Sequence, residues 1–295
     1  MTHTALTVGS FDGVHRGHQA VLAELARVAR DRGLESAVIT FDPHPLEIVN
    51  PAAAPRLLTL TEEKLEQLRA VVARVEVLPF TAELASLGPE EFTRQVLLER
   101  FGMRQLVLGY DHGFGRERSG DVALLRRLGS DAGFGVDEVD AVRDDGQPIS
   151  STLIRTAVAH GDLSSAARWL GRPYSLRGVV TRGEGRGRTI GIPTINLPAP
   201  DPRKLLPPDG VYAARVVWRG TRYDAMMNQG PRPTFGVAER GLEAHLFDFT
   251  GELYGETVTV EWVRRLRDVQ RFPSRDALVA QLARDARAAR DSLKR

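Results

Sequence analysis

Apolar positions along the first half of the chain follow two alternating rhythms. Ala5 to Val8 is a short apolar run, and Val21, Leu22, Leu25 and Val28 follow it at helical spacing, with Gly33 placed to stop the helix. Ser36 to Phe41 reads as a buried strand ending in Asp42-Pro43-His44-Pro45, where the prolines interrupt regular structure. Thr61-Glu62-Glu63 opens a helix carrying Leu65, Leu68, Val71 and Val72, its two acids at the positive end. Val75 to Phe80 is a further strand, Pro89-Glu90-Glu91 begins a helix with Phe92, Val96 and Leu97 inward, and Gln105 to Leu108 is a strand again. Strands alternating with helices predict a doubly wound parallel sheet with helices on both faces. Ligands bind such sheets beyond the carboxyl ends of the strands. Three loops, 9–18, 42–45 and 109–120, leave from those ends.

Helical spacing returns from Ala157 to Leu170, and Gly171-Arg172-Pro173 breaks it. Beyond this point Tyr174 to Thr181, Val211 to Trp218, Arg222 to Asn228, Leu242 to Phe249 and Thr257 to Val263 read as strands separated by Gly, Pro and Asp turns. That pattern predicts an antiparallel barrel or sandwich. A last helix, Ser274 to Leu293, carries Leu278, Leu282 and Ala286 on one side, with Ser274 as its cap. Two domains are expected, 1–172 and 173–295.

Composition narrows the picture in a few respects. Of 295 residues, 42% are apolar and 26% charged, which is globular composition with material for two cores. There is no cysteine, which excludes disulfides and thiolate metal sites. No apolar run approaches the ~18 residues that a membrane span needs, and no signal-peptide pattern opens the chain, so the cytoplasm is the expected address. A net charge of +2 argues against a nucleic-acid footprint. Arg284 to Arg290 is interrupted by Asp and Ala and reads as a solvated helix face.

The chemistry concentrates first at Gly9-Ser10-Phe11-Asp12-Gly13-Val14-His15-Arg16-Gly17-His18, a strand-to-helix junction. Unpaired N–H groups at a helix start favour anions. His15 and His18, three residues apart, can share one face, and two imidazoles with several N–H donors suit charge developing at a nucleotide α-phosphate. A lone histidine here would read as incidental; the joint spacing is harder to dismiss. Ile149-Ser150-Ser151-Thr152-Leu153-Ile154-Arg155 places two hydroxyls at a helix start and an arginine one turn in. Alone this is a capped helix; beside the first motif it reads as a second phosphate grip. In the strand-rich half, Gly183 to Asn196 is a basic, glycine-rich loop able to wrap polyphosphate. If Thr194 to Asn196 is extended, both side chains face one way and offer neutral oxygens to a Mg²⁺ shared with ATP. Glu243 at a strand start is either a solvated strand residue or a general base beside a bound alcohol.

Taken together these motifs resemble the bacterial bifunctional riboflavin kinase/FMN adenylyltransferase family over nearly the whole chain. In the first domain the matches are G-S-F-D-G-V-H-R-G-H, F-D-P-H-P, the G-Y-D-x-x-F-G-x-x-R-x-G loop and I-S-S-T-L-I-R. In the second they are G-x-x-x-G-R-x-x-G-x-P-T-x-N, N-x-G-x-x-P-T-F, E-x-H-x-F-D-F with L-Y-G, and L-R at 266–267 before Phe272. The resemblance implies a nucleotidylyltransferase sheet followed by a six-stranded flavokinase barrel. The barrel would phosphorylate riboflavin with ATP and Mg²⁺, and the first domain would adenylylate the FMN to FAD. It implies Glu243 as catalytic base and Thr194 and Asn196 as Mg²⁺ ligands. His15, His18 and Arg155 would act on the ATP phosphates. Gly9, Phe11, Asp12, Gly17, His44, Asp111, Ser151, Thr152, Gly183, Gly187, Arg188, Gly191, Pro193, Asn228 and Arg267 would bind substrate or ATP. The expected partners are small molecules, with no nucleic acid and no membrane, on a monomer or weak homo-oligomer. Ile195 stands where the family has Ala, His112-Gly113 where it has Phe-Arg, and Val269 where Glu is frequent. A flavin or nucleotide sensor is the rival class, and turnover of riboflavin with ATP separates the two.

Overall fold

β1, Thr4–Val8, is buried at every position and lies at the centre of a five-stranded sheet in a computed structural model. The structure describes residues 3–110, 122–183, 187, 190–198, 200–231 and 240–294. From β1 the chain runs through α1, Arg16–Arg32, β2, Glu35–Asp42, and the short α2, Pro45–Val49. It continues through α3, Thr61–Arg69, β3, Arg74–Pro79, α4, Ala82–Ser86, α5, Pro89–Phe92, and β4, Met103–Gly109. α6, Val122–Ala132, and β5, Gly135–Val139, complete the sheet, whose order is β3-β2-β1-β4-β5. Its pairings are all parallel.

α1 packs one face of the sheet through Val21, Leu22, Leu25 and Ala29, joined by Leu68 of α3. Phe92, Val96, Leu97, Leu125 and Phe134 cover the other. Each such fully buried side chain contributes roughly 1.5–3 kcal/mol. The strand order reverses between β1 and β4, so the loop leaving β1 opens at the switch point where such sheets bind ligands. α5 runs into a π-helical segment, Thr93–Arg100, where an α-helix was expected to continue. β5 and a two-residue hairpin, β6 and β7 at Arg143–Asp144 and Gln147–Pro148, are additions to the elements read from the sequence.

The helical stretch after residue 150 is two helices, α7, Ser151–His160, and α8, Leu163–Leu170, separated at Gly161 with φ 77°. The Asp162 carboxylate caps α8 by accepting from Ser165 N at 3.0 Å. Six antiparallel strands follow in the order β8-β13-β10-β11-β12-β9. They are β8, Tyr174–Val179, β9, Ile195–Leu197, β10, Gly210–Trp218, β11, Thr221–Pro231, β12, Arg240–Leu246, and β13, Thr257–Arg267. The two edges meet at a bridge in which Thr181 N donates to Asn196 O at 2.8 Å, curling the sheet toward closure. Tyr212, Trp262, Leu176 and Leu197 fill the interior. Gln229 completes the buried polar pairing: it accepts from Trp262 Nε1 at 3.0 Å and donates to Pro207 O at 2.6 Å. β12 ends at Leu246, short of the expected Phe249, because Asp248 turns left-handed with φ 57°.

The C-terminal helix, Arg275–Leu293, is capped by Ser274 as expected. It packs through Leu282, Ala286, Ala289 and Leu293 against Ala213, Met226 and Phe247 on the outer face of the barrel. Among its charged residues Asp285 is buried. By contacts the chain divides into units 1–151 and 152–295, so α7 beyond Ser151 and all of α8 group with the barrel.

Candidate active sites

The β1–α1 loop is built from two strained residues and one cap. Phe11 and Val14 hold φ of 49° and 37°, and Gly13 holds 84°. A β-branched residue in this region is a genuine outlier, and such strain persists only where surroundings over-determine it. Asp12 supplies that constraint from the buried side. Its carboxylate accepts from Leu58 N and Thr59 N, both at 2.9 Å, and Thr59 Oγ1 accepts in turn from Gly13 N at 2.9 Å. Asp12 therefore holds the loop's shape, at 2% exposure, where the sequence suggested a ligand contact.

His15 is the N-cap of α1, and its Nδ1 accepts from His18 N at 3.3 Å. An accepting Nδ1 fixes the neutral tautomer with the proton on Nε2, which makes that atom the donor. The His15 and His18 rings stack with centroids 3.7 Å apart, and Phe11 meets His18 edge-on at 5.1 Å. Gly17 leaves room for this stack, since a Cβ there would lie 3.0 Å from His15 Cε1. Gly9 likewise faces the Phe11 ring, 3.2 Å from the place a Cβ would take. Ser151 Oγ donates to Asp12 O at 2.9 Å, which brings the start of α7 to the back of the loop. His44 caps α2 in the same manner as His15, its Nδ1 accepting from Leu46 N at 3.2 Å. Thr152 is exposed and Arg155 half-buried on α7, in the second unit. Asp111 and the His112-Gly113 departure lie outside the described residues.

One residue here escaped the sequence reading. Lys64 of α3 is buried, and its Nζ donates to Ser10 O at 3.0 Å and Phe41 O at 3.1 Å. Burial pulls its pKa below the ordinary lysine range, and Asp12 and Asp42 oppose that shift. A lone lysine in a helix gives no sequence signal of burial.

In the second unit, strand register assembles the residues. Glu243 on β12 stands directly opposite Asn196 on β9 and Asn228 on β11. Directly opposed residues share a face. Asn196, Glu243 and Asn228 thus form one row across three strands, on the face that carries Met226 and the C-terminal helix. His245, two residues along, binds Pro193 O through Nδ1 at 2.7 Å and so fixes the segment leading into Thr194. A Cβ at Gly183 would collide with the Asn196 amide, and one at Gly187 would strike Ile192 O and stand 3.4 Å from Thr194 Oγ1. The loop backbone therefore lies directly on the two oxygen-bearing side chains. Gly191 turns left-handed with φ 77°. Arg188 lies outside the described residues, as does most of the N-x-G-x-x-P-T-F turn beyond Pro231.

Arg267 is placed differently. Its Nε donates to Asp285 Oδ1 at 2.9 Å, its Nη2 to Oδ2 at 2.6 Å, and its Nη1 to Asp268 O at 2.8 Å. Gln281 Nε2 also donates to Asp285, at 2.8 Å. The guanidinium ties the C-terminal helix to β13, and strand register continues the Asn196–Glu243–Asn228 row through Val211 to Arg267.

A switch-point loop with a helix-start imidazole pair, followed by a barrel bearing a Glu–Asn–Asn row under a glycine loop, defines a two-unit phosphate-transfer enzyme. A family model for FAD synthetase matches residues 1–153, and one for riboflavin kinase matches residues 170–293. The chain is 40% identical to the bifunctional riboflavin kinase/FMN adenylyltransferase of Pseudomonas fluorescens over 96% of this chain and 91% of that one. It is 34% identical to the Bacillus subtilis protein of the same name, over 97% and 91%. A solved Streptococcus pneumoniae structure named as a macrolide-efflux protein superposes with a TM-score of 0.87 at 35% identity, covering 98% of this chain and 95% of that one. Among the described residues, no helix is long and apolar enough to cross a membrane. The chain belongs to the bifunctional riboflavin kinase/FMN adenylyltransferase family. It phosphorylates riboflavin to FMN and adenylylates FMN to FAD, with riboflavin, FMN and ATP as substrates.

Proposed function

We propose that adenylyl transfer takes place at the β1–α1 loop and riboflavin phosphorylation at the Asn196–Glu243–Asn228 row. We take the functional division at 172/173, just inside the start of the riboflavin kinase match at residue 170.

In the kinase, Glu243 accepts the proton of the ribityl 5′-hydroxyl as that oxygen attacks the γ-phosphate of ATP, and ADP leaves. Such a base contributes about 10²–10⁴-fold. The donor set fits Mg²⁺: neutral Thr194 and Asn196 oxygens leave most positions to phosphate and water, as that ion favours. Among the described residues no three His, Cys, Asp or Glu cluster into an alternative metal site. When bound, Mg²⁺ would neutralise charge on the transferring phosphate. Gly183 and Gly187, whose Cβ-less backbone touches both side chains, hold the phosphate chain, and Asn228 orients Glu243.

In the adenylyltransferase, the FMN phosphate itself attacks the α-phosphate and pyrophosphate leaves. No protein nucleophile is needed, so catalysis is positioning and charge stabilisation. His15 and His18 present donors at the helix start, Gly9 leaves space beside Phe11, and Ser151, Thr152 and Arg155 grip the phosphates. Asp12 and His44 hold the loops that carry these groups. We assign Arg267 to anchoring the C-terminal helix under the flavin side of the barrel. A cytoplasmic address and a monomeric or weakly associating state accompany this reading, without nucleic-acid or membrane partners.

The observation that carries the assignment is the strand register that opposes Glu243 to Asn196 and Asn228. Glu243→Gln is expected to lower FMN formation by at least a hundredfold while FAD formation from supplied FMN continues. His15→Ala with His18→Ala is expected to do the reverse, with FMN accumulating. A chromatographic time course started from riboflavin, and another from FMN, reads both. Equal loss of the two activities in either folded variant would refute the assignment.

A further inference from the structure

Only three of the forty basic residues are lysines. An arginine-rich chain that places a lysine inside a domain has used a different kind of cation there. Lys64 is 7% exposed, and its ammonium reaches two carbonyls, Ser10 O and Phe41 O. Ser10 lies in the loop leaving β1 and Phe41 is the penultimate residue of β2. These are adjacent strands, and the chain beyond each of them carries the histidine caps, His15 after the first and His44 after the second. Ser10 O accepts a second bond from Thr40 Oγ1 at 3.2 Å, so this carbonyl is held inward from two sides.

We propose that Lys64 is a positioning residue for adenylyl transfer, a clamp that locks the β1–α1 loop and the 42–45 turn into one rigid unit. A compact ammonium with rotatable donors can meet two carbonyls that diverge, which the flat guanidinium fork cannot do without moving them. The cation also balances Asp12, a carboxylate buried at 2% exposure behind a loop that must receive phosphates. Asp42 faces the ammonium from the end of β2, and Asp12 faces it from the loop. Lys64 touches no reacting atom in this account; it acts through the backbone that carries His15, His18 and His44. The inference rests on placing adenylyl transfer at this loop.

Amide hydrogen exchange on the full-length chain reads the clamp directly. In the parent protein, peptides covering 9–14 and 42–47 are expected to open together, with the same dependence on denaturant. In Lys64→Met, exchange in both segments is expected to accelerate at least tenfold while the interiors of β1 and β2 keep their protection. The same variant should lose at least tenfold in kcat for FMN adenylylation, with KM for ATP within threefold and riboflavin phosphorylation unchanged. Two segments that open independently in the parent would overturn the proposal. So would a variant in which β1 and β2 lose protection along with the loops, since that is a general core role. A kcat within twofold of the parent would also overturn it. The His15→Ala, His18→Ala pair tests the underlying placement separately: FAD output that survives loss of both imidazoles removes that placement, whatever the exchange pattern of Lys64→Met.

Discussion

At the scale of single residues, three histidines at the two sites are oriented by backbone atoms. His15 and His44 accept from amides at Nδ1 and therefore donate from Nε2, whereas His245 gives its Nδ1 proton to Pro193 O. The tautomer of each is set by local chain geometry, before any ligand arrives. Gly17 shows how narrow the tolerances are. An alanine there would improve helix propensity by up to about 1 kcal/mol. Its Cβ would also stand 3.0 Å from His15 Cε1 and 3.1 Å from Nδ1, closer than a ring can accept without turning. Gly17→Ala is expected to keep or raise the melting temperature while FAD formation from FMN falls about tenfold, with FMN formation as the internal reference. A parallel fall in both stability and activity would point to damage of the helix and away from the histidine stack.

Elements are joined by a few buried polar bonds added to apolar contacts. The C-terminal helix offers the barrel Leu282, Ala286, Ala289 and Leu293, two leucines and two alanines, and Arg267–Asp285 fixes its register. The Asp285 side chain is 4% exposed and the Arg267 side chain 20%, so removing the arginine strands a carboxylate away from water. Breaking a buried pair from one side costs about 3–5 kcal/mol, and replacing both partners with apolar residues recovers most of that. Arg267→Met should therefore lower the thermal midpoint of the barrel unit substantially, and adding Asp285→Leu should restore much of the loss. Failure of the second change to restore it would mean that Gln281, which also holds Asp285, or the Phe272 ring beside Arg267 carries the anchoring.

For the whole molecule, the FAD synthetase match ends two residues past the first contact unit and the riboflavin kinase match lies wholly in the second, each unit having its own sheet and core. Every residue assigned to riboflavin phosphorylation lies in the second unit. The loop, the histidines and Ser151 lie in the first, with Thr152 and Arg155 just past the division. Two half-active chains should then complement. A mixture of the Glu243→Gln protein with the His15→Ala, His18→Ala protein is expected to convert riboflavin to FAD, because FMN released by one reaches the other. Restored FAD output that rises with total protein concentration is the expected signature. No output from a mixture whose members each keep their single activity would show that FMN does not travel between molecules.

Local spacing was enough for the fold class, most of the elements in their order, both motif sets and hence the family, but not for β5 or the β6–β7 hairpin. Apolar periodicity, caps and glycine-rich turns act over a few residues. Only in three dimensions does it emerge which motif residues brace the scaffold. Asp12 is turned onto the Leu58 and Thr59 amides, 46 and 47 residues away along the chain. Arg267 is spent on Asp285, and Lys64 closes two loops from a helix that looked merely amphipathic. Glu243 acquires its neighbours Asn196 and Asn228 only through strand register. A local pattern cannot encode these pairings, because a buried charge finds its partner through packing of distant segments, where desolvation makes an unmatched group costly.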